Sequence, residues 1–595
     1  MALHQATVLE HVLQPTLVDR EPVSKAGRAA GAITFAFFIL CGIGAVLLDG
    51  PPHPQSEQTP GSVFSAARAM KHLAVIGRAP HPIHSAEHDV VRNYIVSTLR
   101  GLGLAPLVQS TDANKSDDSD GAIENIVCRL PGSTHEKAVL LVAHYDSVPY
   151  GPGASDDGVA VSGLLETARA ILSQPKFKRD IILLFSDGEE AGLLGSQLFI
   201  QEHPWAHDVG LVLNFEARGT GGPSIMFETS DQNGWLISQF GSAVSHPVAN
   251  SLSYEIYKRL PNDTDFTMFR RAGYSGLNFA FIDGLAYYHT PLDSIQNVNS
   301  GSLQQQGDYM LEMATQFGNA SVADDPKRPD AIYFDVMGLF LVRYQKPASV
   351  FFLVMAGILV ALTAYFGYRK QNVKIGGSMV GLLSMLACAA ITMLASEAVL
   401  RLAQLAEERF SAIHIGLVYH SGIYVAAFLT IGLACGTAVY SLLLRWLNPD
   451  NVVMGSLLGW FGLTLAVSMY FPGGSYLLLW PLLFVLCGWV AVFARQNISP
   501  KARSLVLAVS GVPAIVVMTP MMHKIFFAFA AQSTLIISAL LGLLLALLAG
   551  QTMSRRWLLP LLLSIAGAGL LATAIAIPSG EHTPAAASMG MKAGS

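Results

Sequence analysis

Cysteine is almost missing from this sequence: five in 595 residues, Cys41, Cys128, Cys388, Cys435 and Cys487. Only Cys128 falls between residues 51 and 330, so that segment cannot close an internal disulfide, and its stability must come from its core or from bound metal. Charge is also scarce, at 13% of residues, and unevenly spread. Residues 331–595 carry only six Asp or Glu in 265 positions and are dominated by Leu, Ala, Val, Gly and Phe, which excludes a watery surface and points to a bilayer. Residues 51–330, by contrast, hold 32 acids against 19 Lys and Arg, a formal charge of −13. That acidic surface repels phosphate backbones and argues against nucleic acid as a partner. No tandem repeat occurs, and the one biased run is the Ala/Gly-rich tail after Pro578. The length alone exceeds one ordinary domain.

What the acidic segment does contain is concentrated between His144 and Glu216. Three short apolar runs there break off into chemistry-bearing residues: Ala138 to Ala143 into His144-Tyr145-Asp146, Ile181 to Phe185 into Ser186-Asp187-Gly188-Glu189-Glu190, and Leu211 to Phe215 into Glu216. Between the first two lies Gly153-Ala154-Ser155-Asp156-Asp157-Gly158. Short apolar runs separated by helix-length segments read as buried parallel strands, whose ligands gather beyond the carboxyl ends. The acids and the histidine are therefore expected to converge. Carboxylates forced together repel one another and are costly to desolvate, and a bound cation is the simplest remedy. Mixed imidazole and carboxylate donors suit zinc, and a bridging carboxylate suits a pair of zinc ions in a hydrolase. The stretch Ala286-Tyr287-Tyr288-His289-Thr290-Pro291-Leu292-Asp293 offers the second imidazole.

Around these runs, Ser62 to Ile76, Ala86 to Leu102, Gly158 to Leu172 and Ala191 to Ile200 have helical periodicity, and Asp112 to Asp120 reads as a polar loop. Strand, acid and helix alternate, which is an α/β layout. His203, His207 and His246 read as loop histidines, and Asp263 and Asp265 as a helix cap or, alternatively, as pocket residues. Asn114, Asn262 and Asn319 head Asn-x-Ser/Thr triplets, which arise often by chance.

The apolar remainder reads as membrane spans. Arg20, Lys25 and Arg28 precede an apolar run from Ala29 to Leu48, longer than the core of a cleaved signal peptide, so residues 29–49 are expected to be an uncleaved anchor. Eight more runs lie near 349–367, 376–397, 421–444, 453–471, 475–494, 503–521, 527–549 and 556–577. With residues 1–28 as a cytoplasmic tail, Arg369, Lys370, Lys374, Arg445, Arg495, Lys501, Arg503, Arg555 and Arg556 fall in cytoplasmic loops. The opposite loops hold only Arg401, Arg409 and Lys524, with Lys592 in the tail. Nine against three places residues 51–330 and the tail 578–595 on the non-cytoplasmic side. That side is a periplasm in a bacterium, or a vacuolar or endoplasmic reticulum lumen in a eukaryote. Glu397 and Arg401 are spaced for a helical pair near the outer end of a span, and His414 and His420 lie on the same side.

The ordered set His144-x-Asp146, Ser155-Asp156-Asp157-Gly158, Asp187-Gly188-Glu189-Glu190, Asn214-x-Glu216 and Tyr288-His289 resembles the motifs of the co-catalytic di-zinc exopeptidases over about residues 60–318. One leading span, an outward peptidase and a multi-span bundle, together with Asn214-Phe215-Glu216-Ala217-Arg218-Gly219, are similar to the vacuolar membrane proteases and endoplasmic reticulum metallopeptidases. The resemblance implies an α/β zinc-exopeptidase domain at 51–330, with a mixed, largely parallel sheet flanked by helices, and an all-α transmembrane bundle of eight helices at 349–577. It further implies two zinc ions bridged by Asp156, one completed by His144 and Glu216 and the other by Glu190 and His289. Glu189 would be the general base and Tyr288 a donor to the oxyanion. Asp146 and Asp157 would stand behind the ligands, Asp146 fixing the His144 ring, and the Asp156–Asp157 bond would be cis. The soluble aminopeptidases often carry Asp where this chain has Glu216, so their specificity does not transfer directly. The expected activity is an exopeptidase acting on peptides, foremost an aminopeptidase. The alternatives are a carboxypeptidase of the same family, or a transporter or receptor with a ligand-binding peptidase-like domain. The oligomeric state stays open.

Overall fold

The computed structural model describes residues 25–111, 122–134, 136–320, 326–370, 373–406, 421–495, 497–529, 533–552 and 558–576. The expected polar loop 112–120, the tail 578–595 and most of the tail 1–28, with Asn114, Arg409, His414, His420, Arg555, Arg556 and Lys592, lie outside the described residues.

The chain begins with α1 (Lys25–Leu48), α2 (Ala66–Ile76) and α3 (Ala86–Gly101). Ser65 and Ser85 set the starts of α2 and α3, their hydroxyls accepting the amides of Arg68 and His88. The strands β1 (Leu107–Ser110), β2 (Glu124–Leu130) and β3 (Ala138–His144) lead into α4 (Gly158–Leu172), then β4 (Ile181–Ser186) and α5 (Leu194–Glu202). Helix α5 starts three residues later than its periodicity suggests. Gly192 (φ 121°) and Leu193 (φ 62°) are left-handed and turn their amides onto the Glu189 carbonyl, so this stretch holds the paired glutamates instead of beginning the helix. There follow β5 (Val209–Ala217), β6 (Ile225–Thr229), α6 (Gly234–Ala243), α7 (Ser251–Tyr257), α8 (Asp265–Arg271), β7 (Ser275–Phe281) and α9 (Ser300–Asn319).

One seven-stranded sheet runs in the order β1-β2-β4-β3-β5-β7-β6. Its centre is parallel, β3 pairing with β4 and β5, and β5 with β7, while β2 pairs with β4, and β6 with β7, antiparallel. Side chains of β3 alternate between two cores: Val139, Leu141 and Ala143 join the helices α2, α3, α4 and α9, whereas Leu140 and Val142 face Phe199 of α5 and Phe266 and Phe269 of α8. Both faces are covered, which is why these strands read as continuous apolar runs. From β3 the chain moves one way to β4 and then back past it to β5, so a crevice opens at the carboxyl ends of these strands. His144 ends β3, Ser186 ends β4, and Glu216 is the penultimate residue of β5.

A feature without a sequence signal of its own joins this domain to the rest. Residues 331–345 form a hairpin, β8 (Ala331–Val336) and β9 (Phe340–Gln345), and the first bundle helix α10 (Lys346–Lys370) grows directly from it. Then come α11 (Ile375–Ala406), α12 (Ser421–Leu443), α13 (Pro449–Tyr470), α14 (Tyr476–Ala494), α15 (Pro500–Phe529), α16 (Thr534–Thr552) and α17 (Leu558–Ala576). Seven helices among the described residues, α1 and α10 to α15, are long and apolar enough to cross a membrane, and Thr534–Gly550 is a shorter apolar helix. Glu397 and Arg401 pair along α11 at 2.7 Å. Helices α11 and α13 approach closely at Gly381 and Gly455, the usual role of small residues between membrane helices.

Domain and bundle share one apolar cluster, which runs from Phe38 of α1 through Leu252 of α7 and Ile332 and Phe334 of β8 into α13, α14 and α15. The Phe334 ring stacks on Tyr476 at 4.6 Å, and the Ser251 hydroxyl donates to the Gly473 carbonyl at 2.6 Å. At the same junction the buried Lys524 ammonium of α15 meets Asp49, just past the anchor, at 3.0 Å and Asp335 of β8 at 3.1 Å. A buried ammonium without such partners would be costly, so this group ties three segments together.

Candidate active site

The crevice gathers the expected donors from five places: the end of β3, the loop before α4, the turn after β4, the end of β5 and the loop after β7, from which His289 reaches in. Asp156 is the hub. One of its oxygens lies 3.2 Å from His144 Nε2 and the other 3.1 Å from His289 Nε2. Glu216 stands 3.6 Å from His144 Nε2, and Glu190 2.9 Å from His289 Nε2. Two triplets result, His144, Asp156, Glu216 and Asp156, Glu190, His289, each with donor atoms within 4.8 Å of one another. His144, Glu189 and Glu190 form a third within the same limit, so geometry alone leaves either glutamate near a cation. His289 adopts a left-handed backbone (φ 55°), and its ring stacks on Tyr288 with centroids 3.7 Å apart.

The supporting residues explain the placement. The Asp156–Asp157 peptide bond is cis, and the amides of Ser155 and Asp156 donate to the Asp293 carboxylate at 2.8 and 3.1 Å. Asp146 accepts the amides of Glu189 and Glu190 at 3.0 and 3.2 Å, while its backbone carbonyl is 3.1 Å from His144 Nδ1. It therefore registers the glutamate turn against the histidine. Asn214 donates to Glu216 and to Asn278, both at 3.0 Å, and Asn278 donates onward to Glu228 at 3.0 Å. Asp293, Asn278 and Glu228 were not singled out from the sequence. Strand alternation places Asn278 beside Asn214 only once the β5–β7 register is known.

The expected cap at 263–265 divides in three. Thr264 is the cap of α8, Asp263 pairs with Arg271 on the surface, and Asp265 turns inward to bond the Ser186 hydroxyl. Asp187 is no ligand either, since it holds buried His88 at 2.8 Å and the Glu124 amide. His203 accepts the Trp205 amide, and His246 donates to the Gly50 carbonyl. Among the described residues His203, His207 and His246 join no metal-holding group.

Burial with neighbouring acids pushes Glu189 well above the usual carboxylate range and Glu190 up to about 7. Burial also raises Asp157 well above that range and Asp265 to about 6. Burial would lower His289, but its hydrogen bonds to Asp156 and Glu190 override this and hold it at about 10. Burial likewise opposes the charge on Asp156, yet the two histidines keep it below its ordinary value. So many acids around two imidazoles demand positive charge. The donor set also has the dimensions for zinc: tetrahedral ligands at about 2.0–2.2 Å stand about 3.3–3.5 Å apart, close to the spacings found here. His144, Asp156, Glu190, Glu216 and His289 therefore fit zinc.

A cavity of about 150 Å³ opens from this cluster. Asp156, Glu189, Glu216 and Tyr288 of the cluster line it, as does Arg218. Residues 125–314 match the sequence model of Peptidase family M28. This segment is an M28 peptidase domain. Endoplasmic reticulum metallopeptidase 1 of Homo sapiens is 33% identical over 260 residues, 42% of this chain and 28% of that protein. The vacuolar membrane protease of Candida dubliniensis is 31% identical over 328 residues, 51% of this chain and 34% of that protein. The chain thus spans about a third of the length of these relatives. Among solved structures, the zinc aminopeptidase BSAP of Bacillus subtilis superposes with a TM-score of 0.36 at 17% identity, covering 44% of this chain and 97% of that one. A Porphyromonas gingivalis glutaminyl cyclase gives 0.34 at 21% identity, with 42% and 96% covered.

Proposed function

We propose that this M28 domain is a membrane-anchored, zinc-dependent exopeptidase that removes N-terminal residues from peptides, using two zinc ions. The observation that carries the reading is the double-sided use of Asp156, whose two oxygens each face a separate histidine, each histidine standing in turn beside a separate glutamate. When bound, zinc acidifies the attacking water and polarises the scissile carbonyl. Glu189, half-buried and displaced toward neutrality, is the base that accepts the water's proton and returns it to the departing amine. Tyr288, which lines the same cavity, donates its hydroxyl proton in a hydrogen bond to the oxygen on which negative charge develops. Asp146 fixes the glutamate turn, and Asp157 starts α4 behind the bridge.

Arg218 supports a second reading, carboxypeptidase: it lines the same cavity, and among the described residues no carboxylate pairs with its guanidinium. The loop charges support a non-cytoplasmic peptidase domain between a leading anchor and an eight-helix bundle. The test is hydrolysis by the full-length protein in detergent, with free and N-acylated peptides, before and after chelation. Zinc-dependent release of the first residue from free peptides alone is expected. Cleavage of N-acylated peptides at the carboxyl end establishes the second reading, and hydrolysis untouched by chelation removes both.

A further inference from the structure

The cavity that begins at the catalytic acids does not stay within the peptidase domain. Its near side is apolar surface of that domain, including Ile225, Phe227, Leu252 and Ile256. Phe227 is there because the β6–β7 register slips between Met226 and Glu228, leaving it the extra residue of a bulge that re-aims its side chain. The far side is helix α15 of the bundle, which contributes Met521, Ile525, Ala528 and Phe529 from its last three turns. Lys524 also lines it, yet its ammonium is taken up by Asp49 and Asp335, so it brings no free cation. The shared apolar cluster and the Phe334–Tyr476 stack hold domain and bundle in this arrangement.

Resting on the exopeptidase reading, we propose that α15 is the specificity wall of the enzyme: Met521, Ile525, Ala528 and Phe529 bind the large apolar side chain of the substrate residue next to the scissile bond. The cavity is continuous with the carboxylates and walled mostly by aliphatic and aromatic carbon, with Arg218, Ser253, Asn262, Asp263 and Thr264 as its polar members, so a large apolar side chain gains most by entering it and leaving water. The membrane bundle is then part of the binding site as well as an anchor. Selectivity between a large and a small side chain in such a pocket runs to about 10-fold or more.

Two measurements on the full-length protein in detergent decide it. First, the kcat/KM ratio for a Leu-initiated over an Ala-initiated peptide is compared between the parent and Ala528→Trp, which fills the cavity, and Ile525→Ala, which opens it. The parent is expected to favour Leu at least about 10-fold, with Ala528→Trp reducing that preference by a similar factor. Second, a peptide with photoleucine at its first position is cross-linked to the zinc-loaded Glu189→Gln protein and mapped by mass spectrometry, a readout that needs neither hydrolysis nor a cavity variant. Adducts within residues 521–529 that unlabelled peptide competes away support the proposal. Adducts confined to the peptidase domain, no specific adduct, or a parent without preference for Leu overturn it. A parent that cleaves neither peptide while the 521–529 adducts form sinks the exopeptidase reading and leaves the binding wall standing.

Discussion

We propose that two adjacent glutamates with almost the same surroundings do different work in this site, separated by side-chain reach. Glu190 lies 2.9 Å from His289 Nε2, in a triplet that includes Asp156, whereas Glu189 faces the cavity with Tyr288. Glu189→Gln keeps the size of the side chain but cannot accept a proton, so it is expected to retain zinc while kcat falls by at least about 10². Glu190→Gln is expected to lose zinc, read by elemental analysis of the same preparations. The reverse pattern exchanges the two roles, which the third triplet of His144, Glu189 and Glu190 would then accommodate. Residues of this kind were legible in the sequence because each sits where an apolar run stops. Of the residues that hold them, Asp146 was named from the sequence, whereas Asp293 and Asn278 were not. Asp293 reaches the amides of Ser155 and Asp156 from 137 positions away or more, and Asn278 reaches Glu228 from 50, so only the folded register brings them together.

Among the elements, those announced by continuous burial or by caps were the easiest to read. Strands β3, β4 and β5 and helix α4 stand where the apolar runs put them, because both sheet faces are covered and no alternation confuses the pattern. The hairpin β8–β9 was invisible because residues 331–345 are mostly apolar, without strand alternation along β8, and lie beside a long apolar tract into which they were absorbed. Helix packing in the bundle was equally hidden, since glycines scattered through a run of Leu and Ala show no contact partner. The structure gives one. A Cβ on Gly381 would stand 2.6 Å from the Val452 carbonyl oxygen and 2.7 Å from that of Asn451, both backbone atoms that cannot rotate away. Gly381→Ala is therefore expected to push α11 from α13 and cost about 1–3 kcal/mol, seen as a lower unfolding temperature in detergent. An unchanged midpoint means that this helix contact is looser than described.

At the scale of the whole molecule, the loop charges give an orientation that reporter fusions read directly. Fusions after Lys374 and after Lys592 are expected to report opposite sides of the membrane, the first cytoplasmic and the second on the side of the peptidase domain. The same side for both would remove one span from the proposed nine. The two-part division of the chain was plain from composition, since acids all but vanish after residue 330, but composition carries no information on how the parts meet. That meeting point is the ammonium of Lys524, gripped by one carboxylate that follows the anchor and one from the strand leading into the bundle. A blade on a flexible tether would sweep a hemisphere of positions above the bilayer. This one is bolted at entry and exit, so on the proposed exopeptidase reading its cutting edge has a set height, and how far a peptide end protrudes becomes a criterion for cleavage beside its sequence.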